Sequence, residues 1–204
     1  MILAIDVGNS NIVLGGYQGG RLRFMSRAAT NRQLEADQYA IELGSILRLY
    51  GVDTGCIKGV VMSSVVPEVT RGLLGALAHF TSVQPVVLSL ADAGPITVDI
   101  ENPEELGMDI LASAIATCEA YPLPAVIIDM GTATKLTALD KNCVLRGVSI
   151  SPGLFLSLNA LVGGASLLRS IELNKPPAAI GRNSAKSMQS GMLLGNADML
   201  DGMI

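Results

Sequence analysis

The chain has 204 residues, 50% of them hydrophobic and 16% charged, with a net charge of −4. That suffices to bury a core as one domain or two small ones and excludes a disordered chain. No basic cluster occurs, so a nucleic-acid partner is excluded. The N-terminus carries no signal-peptide pattern, and the apolar runs break before bilayer length, so a cytoplasmic protein with no membrane partner is expected.

The first element is an apolar strand, Met1 to Ile5, which ends in Asp6-Val7-Gly8-Asn9-Ser10-Asn11. A second strand and the polar turn Gln18-Gly19-Gly20 follow, then a short strand over Leu22-Arg23-Phe24-Met25. Ala36, Tyr39, Ala40, Leu43, Ile46, Leu47 and Tyr50 have helical spacing, and Gly51 stands at the C-terminal cap. The run Gly59 to Val66 reads as a buried strand, with Pro67 opening a helix that continues to about Phe80. Val83 to Leu88 gives another strand. A strand meander followed by alternating helices and strands predicts an α/β domain with a mixed sheet.

Asn102-Pro103-Glu104-Glu105 has the form of an N-cap, a proline and an acidic first turn. Gly107 interrupts it, and Asp109-Ile110-Leu111 leads into an Ala-rich helix reaching Tyr121. Spacing alone reads Asp109 as an ordinary helix-start aspartate; a general base pointing into a cleft is the other reading. Tyr121-Pro122-Leu123-Pro124 marks a boundary, so the expected domains are 1–121 and 122–204. The second begins as the first did. Shifted by 129 − 6 = 123 positions, Asp6, Gly8, Asn9 and Asn11 fall without a gap on Asp129, Gly131, Thr132 and Thr134.

A single Asp-x-Gly turn does no more than close a hairpin. Two matched copies after matched strands point to a nucleotide cleft. Glycine lets the backbone approach a ligand, and successive N–H groups in such a turn suit anions. Asn9, Ser10, Asn11, Thr132 and Thr134 add neutral donors for phosphate oxygens, while the aspartates call for a cation between themselves and phosphate. The cysteines Cys56, Cys118 and Cys143 lack metal-ligand spacing and read as reduced, buried thiols. His79, the single histidine, reads as a partly exposed helix residue, which removes Ser-His-Asp chemistry unless His79 serves it.

Six segments occur in order: Asp6 to Val13, Ser63-Ser64-Val65-Val66-Pro67, Gly107-Met108-Asp109, Asp129-Met130-Gly131-Thr132-Ala133-Thr134, Ser151-Pro152-Gly153 and Asn183 to Gly191. Together they resemble the type III pantothenate kinase family, over essentially the whole chain. The resemblance implies two ribonuclease H-like domains of the actin-like ATPase and sugar kinase superfamily, related by duplication, with mixed sheets flanked by helices and a cleft between them. It implies transfer of a phosphoryl group from ATP to the pantothenate hydroxyl, the entry to coenzyme A.

Residue by residue, the resemblance implies that Asp6, Val7, Gly8, Asn9, Ser10, Asn11, Ile12 and Val13 form the first phosphate loop. Asp6 would hold Mg²⁺ largely through water, Asp129 a monovalent cation (K⁺ or NH₄⁺), and Thr132 a second ATP contact. Asp109 would accept the substrate proton. Ile100, Gly107, Met108, Asp109 and Ile110 would meet pantothenate, as would Ser184 where the family usually has threonine. A homodimer is implied, with Leu154 to Leu168 contributing to its interface or to ordinary core.

Departures from the pattern are equally specific. Ile110 stands where the family usually has arginine, and Ile100 where it has tyrosine. Losing a hydrogen bond to a charged group costs about 1.5–3 kcal/mol, or ~10- to 100-fold in pantothenate affinity. Lys135 replaces an uncharged residue and reads either as a phosphate contact or as solvated. The chain also stops before the family's final strand and glycine pair, so a shortened second lobe is expected. These departures motivate two rival readings: a non-catalytic nucleotide-binding module, and a kinase for a more apolar hydroxyl compound.

Overall fold

The first apolar run folds as β1 (Ile2–Val7) in a computed structural model that describes residues 1–204. Two units follow from the chain, Met1–Ala120 and Tyr121–Ile204.

In the first unit β1 pairs antiparallel with β2 (Asn11–Gln18), and β2 with β3 (Arg21–Ala29). The β2–β3 connection is the Gly19-Gly20 pair, with both φ angles positive (59° and 72°), as a type I′ hairpin turn demands. β3 runs further than the short strand expected from sequence. β4 (Gly59–Ser64) joins β1 in parallel, and β5 (Val86–Val87) joins β4 in parallel, giving a mixed sheet in the order β3-β2-β1-β4-β5.

Alternation then decides the two faces. Leu3, Ile5, Val7, Ile12, Leu14, Val60 and Met62 turn to one side and form the core with Tyr39, Leu43 and Leu47 of α1 (Ala36–Leu49) and Val69, Leu73 and Leu77 of α2 (Pro67–Leu77). Each such side chain contributes about 1.5–3 kcal/mol by leaving water. Asp6 and Ala4 alternate to the opposite face, where Asp6 lies across from Val13 on β2 and Ser63 on β4.

The helix ends follow local chemistry. α1 opens on a capping box, in which the Gln38 side chain accepts the Glu35 N–H, and closes at Gly51 with φ of 64°. Tyr39 is buried within α1, its hydroxyl donating to the Asn31 carbonyl at 2.6 Å. Pro67 sits in the first turn of α2 as predicted, but that helix ends at Leu77, short of Phe80. The expected strand over Val83 to Leu88 contracts to the two exposed residues of β5. A short strand β6 (Thr97–Val98) follows. The Asn102 start yields only a 3-10 turn at Pro103–Glu105, and the long helix α3 (Met108–Ala120) begins after Gly107.

In the second unit β7 (Ala125–Met130), β8 (Ala133–Leu139) and β9 (Val144–Pro152) form an antiparallel meander. Cys143 closes the β8–β9 turn with φ of 60°, a left-handed position. Two helices complete the unit, α4 (Leu154–Gly164) and α5 (Ser184–Met203). Leu136, Leu139, Leu145, Leu158 and Met188 are its buried apolar residues. The mixed α/β fold is as expected. No helix is long and apolar enough to cross a membrane. The thiol expectation is corrected: Cys56 is free and exposed, while Cys118 and Cys143 are partly covered and are not free thiols. His79 is exposed, 3.5 Å from Asp37.

Candidate functional site

The first turn joins β1 to β2. Val7 pairs with Ile12, leaving Gly8, Asn9, Ser10 and Asn11 between, and the Gly8 N–H donates to the Asn11 carbonyl at 2.9 Å. Residues from the end of β3 brace this turn. The Thr30 hydroxyl donates to the Gly8 carbonyl at 2.6 Å, and the Thr30 N–H to the Ser10 carbonyl at 3.0 Å. Arg32 donates to Asn9 Oδ1 at 2.8 Å, placing a guanidinium beside the exposed Asn9. Neither Thr30 nor Arg32 was legible as a site residue, because both lie about twenty positions from the turn they hold. On the other side of β1, Ser64 Oγ accepts the Val66 N–H at 3.1 Å and the Thr70 hydroxyl at 2.6 Å, fixing the entry to α2.

The second turn joins β7 to β8 and is one residue shorter. Met130 pairs with Thr134, leaving Gly131, Thr132 and Ala133 between, and the Gly131 N–H donates to the Ala133 carbonyl at 3.0 Å. The gapless match of the two copies is therefore corrected by one position after the glycines. Asn11 corresponds to Ala133, Ile12 to Thr134 and Val13 to Lys135. Thr134 falls on the core face, 1% exposed, with its hydroxyl lacking a hydrogen-bond partner, so it is not offered to phosphate as expected. Thr132 remains exposed.

Lys135 lies across the ladder from Asp129, its Nζ 2.7 Å from Asp129 Oδ2. Its side chain is 14% exposed and that of Asp129 47%. The lysine is thus neither solvated nor loosely placed. Gly153 explains the Ser-Pro-Gly segment: its N–H donates to the Thr132 carbonyl at 2.9 Å, and a Cβ there would collide with the Gly131 carbonyl and lie 2.6 Å from that of Thr132.

The start of α3 is shaped by another glycine. The Gly107 carbonyl accepts the N–H groups of Ile110 and Leu111. Asp109 Oδ1 folds back to accept the Ile110 N–H at 2.8 Å, and a Cβ on Gly107 would lie 2.5 Å from that oxygen. Asp109 and Met108 are half-buried, within the helix turn whose dipole favours negative charge. In α5, Asn183 caps the helix by accepting the Lys186 N–H at 2.9 Å, and Ser184 is exposed in the first turn.

Residues 2–204 match the profile of the type III pantothenate kinase family. The chain belongs to that family. Among curated relatives it is 37% identical over all 204 residues to the type III pantothenate kinase of Moorella thermoacetica, spanning 80% of that protein. It is 38% identical to the one from an Exiguobacterium strain, again over 80% of its length. In structure it resembles a Campylobacter jejuni protein described provisionally as a Baf family transcriptional activator. That match has a TM-score of 0.61 and 16% identity, covering 98% of this chain and 78% of that one. A Sinorhizobium meliloti protein, described provisionally as a 2-dehydro-3-deoxygalactonokinase, gives 0.59 and 14%, covering 98% and 80%. These likenesses carry the fold alone. Membership of the pantothenate kinase family makes the chain an ATP-dependent small-molecule kinase, and does not favour the non-catalytic reading. Against the family pattern, Ile110 is 7% exposed and belongs to the buried set of α3, while Ile100 is half-buried.

Proposed function

We propose that this chain carries out its family's reaction, phosphorylation of the pantothenate hydroxyl by ATP to give 4′-phosphopantothenate, the first step of coenzyme A biosynthesis. The observation that carries this reading is the family match over residues 2–204. In-line phosphoryl transfer needs positioning and charge neutralisation more than covalent help.

In our reading the chain folds as two ribonuclease H-like domains, 1–121 and 122–204. The turn from Asp6 to Val13 cradles ATP phosphates, with backbone N–H groups and the Asn9, Ser10 and Asn11 side chains as donors. Thr132 is a further ATP contact. Asp109 accepts the proton of the pantothenate hydroxyl, and the Ile110 N–H on its Oδ1 keeps the carboxylate oriented. Gly107, Met108, Ile100, Ile110 and Ser184 line the acceptor in this reading, with most of the Ile110 side chain buried.

Two ions belong to this reading, and the residues treat them differently. No three-carboxylate or histidine cluster exists. Magnesium is normally held by one or two carboxylates plus waters and phosphates, so Asp6 suits it. When bound, Mg²⁺ neutralises charge on the transferred phosphoryl group. A monovalent cation at Asp129 does not fit, since Lys135 Nζ already lies 2.7 Å from Oδ2. No step is assigned to it. A cytoplasmic homodimer completes the proposal, with the exposed Phe155 and Leu156 of α4 as candidate contacts; sedimentation of the protein checks it.

A coupled assay with pantothenate and ATP tests the reaction. Asp109→Asn should bind ATP as the parent does and lose turnover by ~10²- to 10⁴-fold. Full turnover in that variant removes Asp109 from the mechanism.

A further inference from the structure

Lys135 sits on β8, paired with β7 through Asp129 and with β9 through Ile150. Both neighbours fix its backbone, and the side chain is 14% exposed. A largely covered ammonium needs a carboxylate, and Asp129 Oδ2 supplies one at 2.7 Å. The turn that precedes it, Gly131-Thr132-Ala133, carries the exposed Thr132 that the proposed function sets at ATP. A bare carboxylate at such a turn would repel a polyphosphate; a carboxylate already carrying a fixed cation does not.

We infer that the Lys135 ammonium is a tethered replacement for a free monovalent cation at Asp129, and that it makes nucleotide binding by this chain indifferent to potassium and ammonium ions. The inference rests on the kinase reading only in taking Asp129 to lie at the nucleotide phosphates. A tethered group has no concentration to reach, whereas a free ion binds only above its dissociation constant. The sequence feature responsible is the single-residue contraction of the second turn. It brings residue 135, instead of residue 136, opposite Asp129.

Calorimetric titration of the full chain with Mg²⁺ and ATP tests this, in tetramethylammonium chloride and in potassium chloride at equal ionic strength. The parent should change its affinity by less than about twofold between the two salts, since screening is held constant. Lys135→Thr should bind ATP about tenfold or more weakly in tetramethylammonium, with potassium or ammonium restoring the loss. A tenfold gain by the parent on adding potassium overturns the inference, and so does a folded Lys135→Thr that matches the parent in both salts. Should Lys135→Thr fail to melt cooperatively, the salt comparison on the parent decides alone. Salt-indifferent ATP binding without pantothenate phosphorylation upholds this inference and sinks the proposed acceptor. No ATP binding in either salt sinks both.

Discussion

At the first turn the residue across the ladder from the aspartate is Val13; at the second it is Lys135. On the core face the same displacement sets Ile12 against Thr134. Both hairpins begin with an apolar strand and an Asp-x-Gly bend, and both bury the residue that follows the bend's last member. What separates them is one residue of turn length, which re-registers every side chain after it. A deletion at a turn thus does more than shorten a loop: it exchanges a neutral neighbour of one carboxylate for a charged one.

The largest expected effect distinguishes how tightly the two bends are held. Gly153→Ala drives a methyl group into the Gly131 carbonyl and should cost about 3 kcal/mol. Gly8→Ala meets only the Asn11 carbonyl, at 3.2 Å, and should cost less than about 1 kcal/mol. Urea melts of the two variants measure the difference, and equal costs would mean that Gly153 does not support the second turn.

Next in size is the pair itself. Asp129→Asn leaves a mostly covered ammonium with less compensation and should destabilise by about 1–2 kcal/mol, below the fully buried range because Asp129 is half exposed. A double-mutant cycle with Lys135→Met should return a coupling of about 1 kcal/mol, and a coupling near zero would show that the two charges do not depend on each other.

Thr134→Val removes a buried hydroxyl that has no partner and makes the second hairpin resemble the first at this position. It should raise stability by about 1 kcal/mol in the same melts. A loss of ATP affinity instead would return Thr134 to the phosphate site.

The smallest effect lies at the far end of the second hairpin. The Val144 N–H, then the Arg146 guanidinium at 2.7 Å and the Asn142 N–H, hold the Asp140 carboxyl below its ordinary value of 3.8. A depressed native value means that this stabilisation is present above the ordinary value and is lost as pH falls through the lower folded-state value. Amide signals of residues 140–144 should therefore broaden or shift in that acid window, and Arg146→Ala should move the change to higher pH.

Much of the architecture was legible because it rests on strong local patterns. The Gly19-Gly20 hairpin, the apolar stripe of α1 with Gly51 behind it, and Pro67 at the head of α2 each follow from one residue's backbone preference or one periodicity. The short β5 was not legible, since Val83 to Leu88 has strand composition but only two residues find a partner strand. Family membership could be read from the ordered motifs. The site's finer geometry could not. A gapless match of Asp-x-Gly-polar hides a missing turn residue, because Thr134 is chemically as good a match for Asn11 as for nothing at all. Ladder pairing alone exposes the slip. Arg32 and Thr30 carry no motif, and their role depends on where β3 ends.

The Thr30 clasp has a mechanical consequence. Its hydroxyl and amide both hang on the loop over residues 8–10, while the chain continuing from it passes Arg32 and reaches the Glu35–Gln38 box within one span. The loop and the threshold of the next helix are thereby one girder. The same few residues that clasp the loop therefore also lead the chain into that helix.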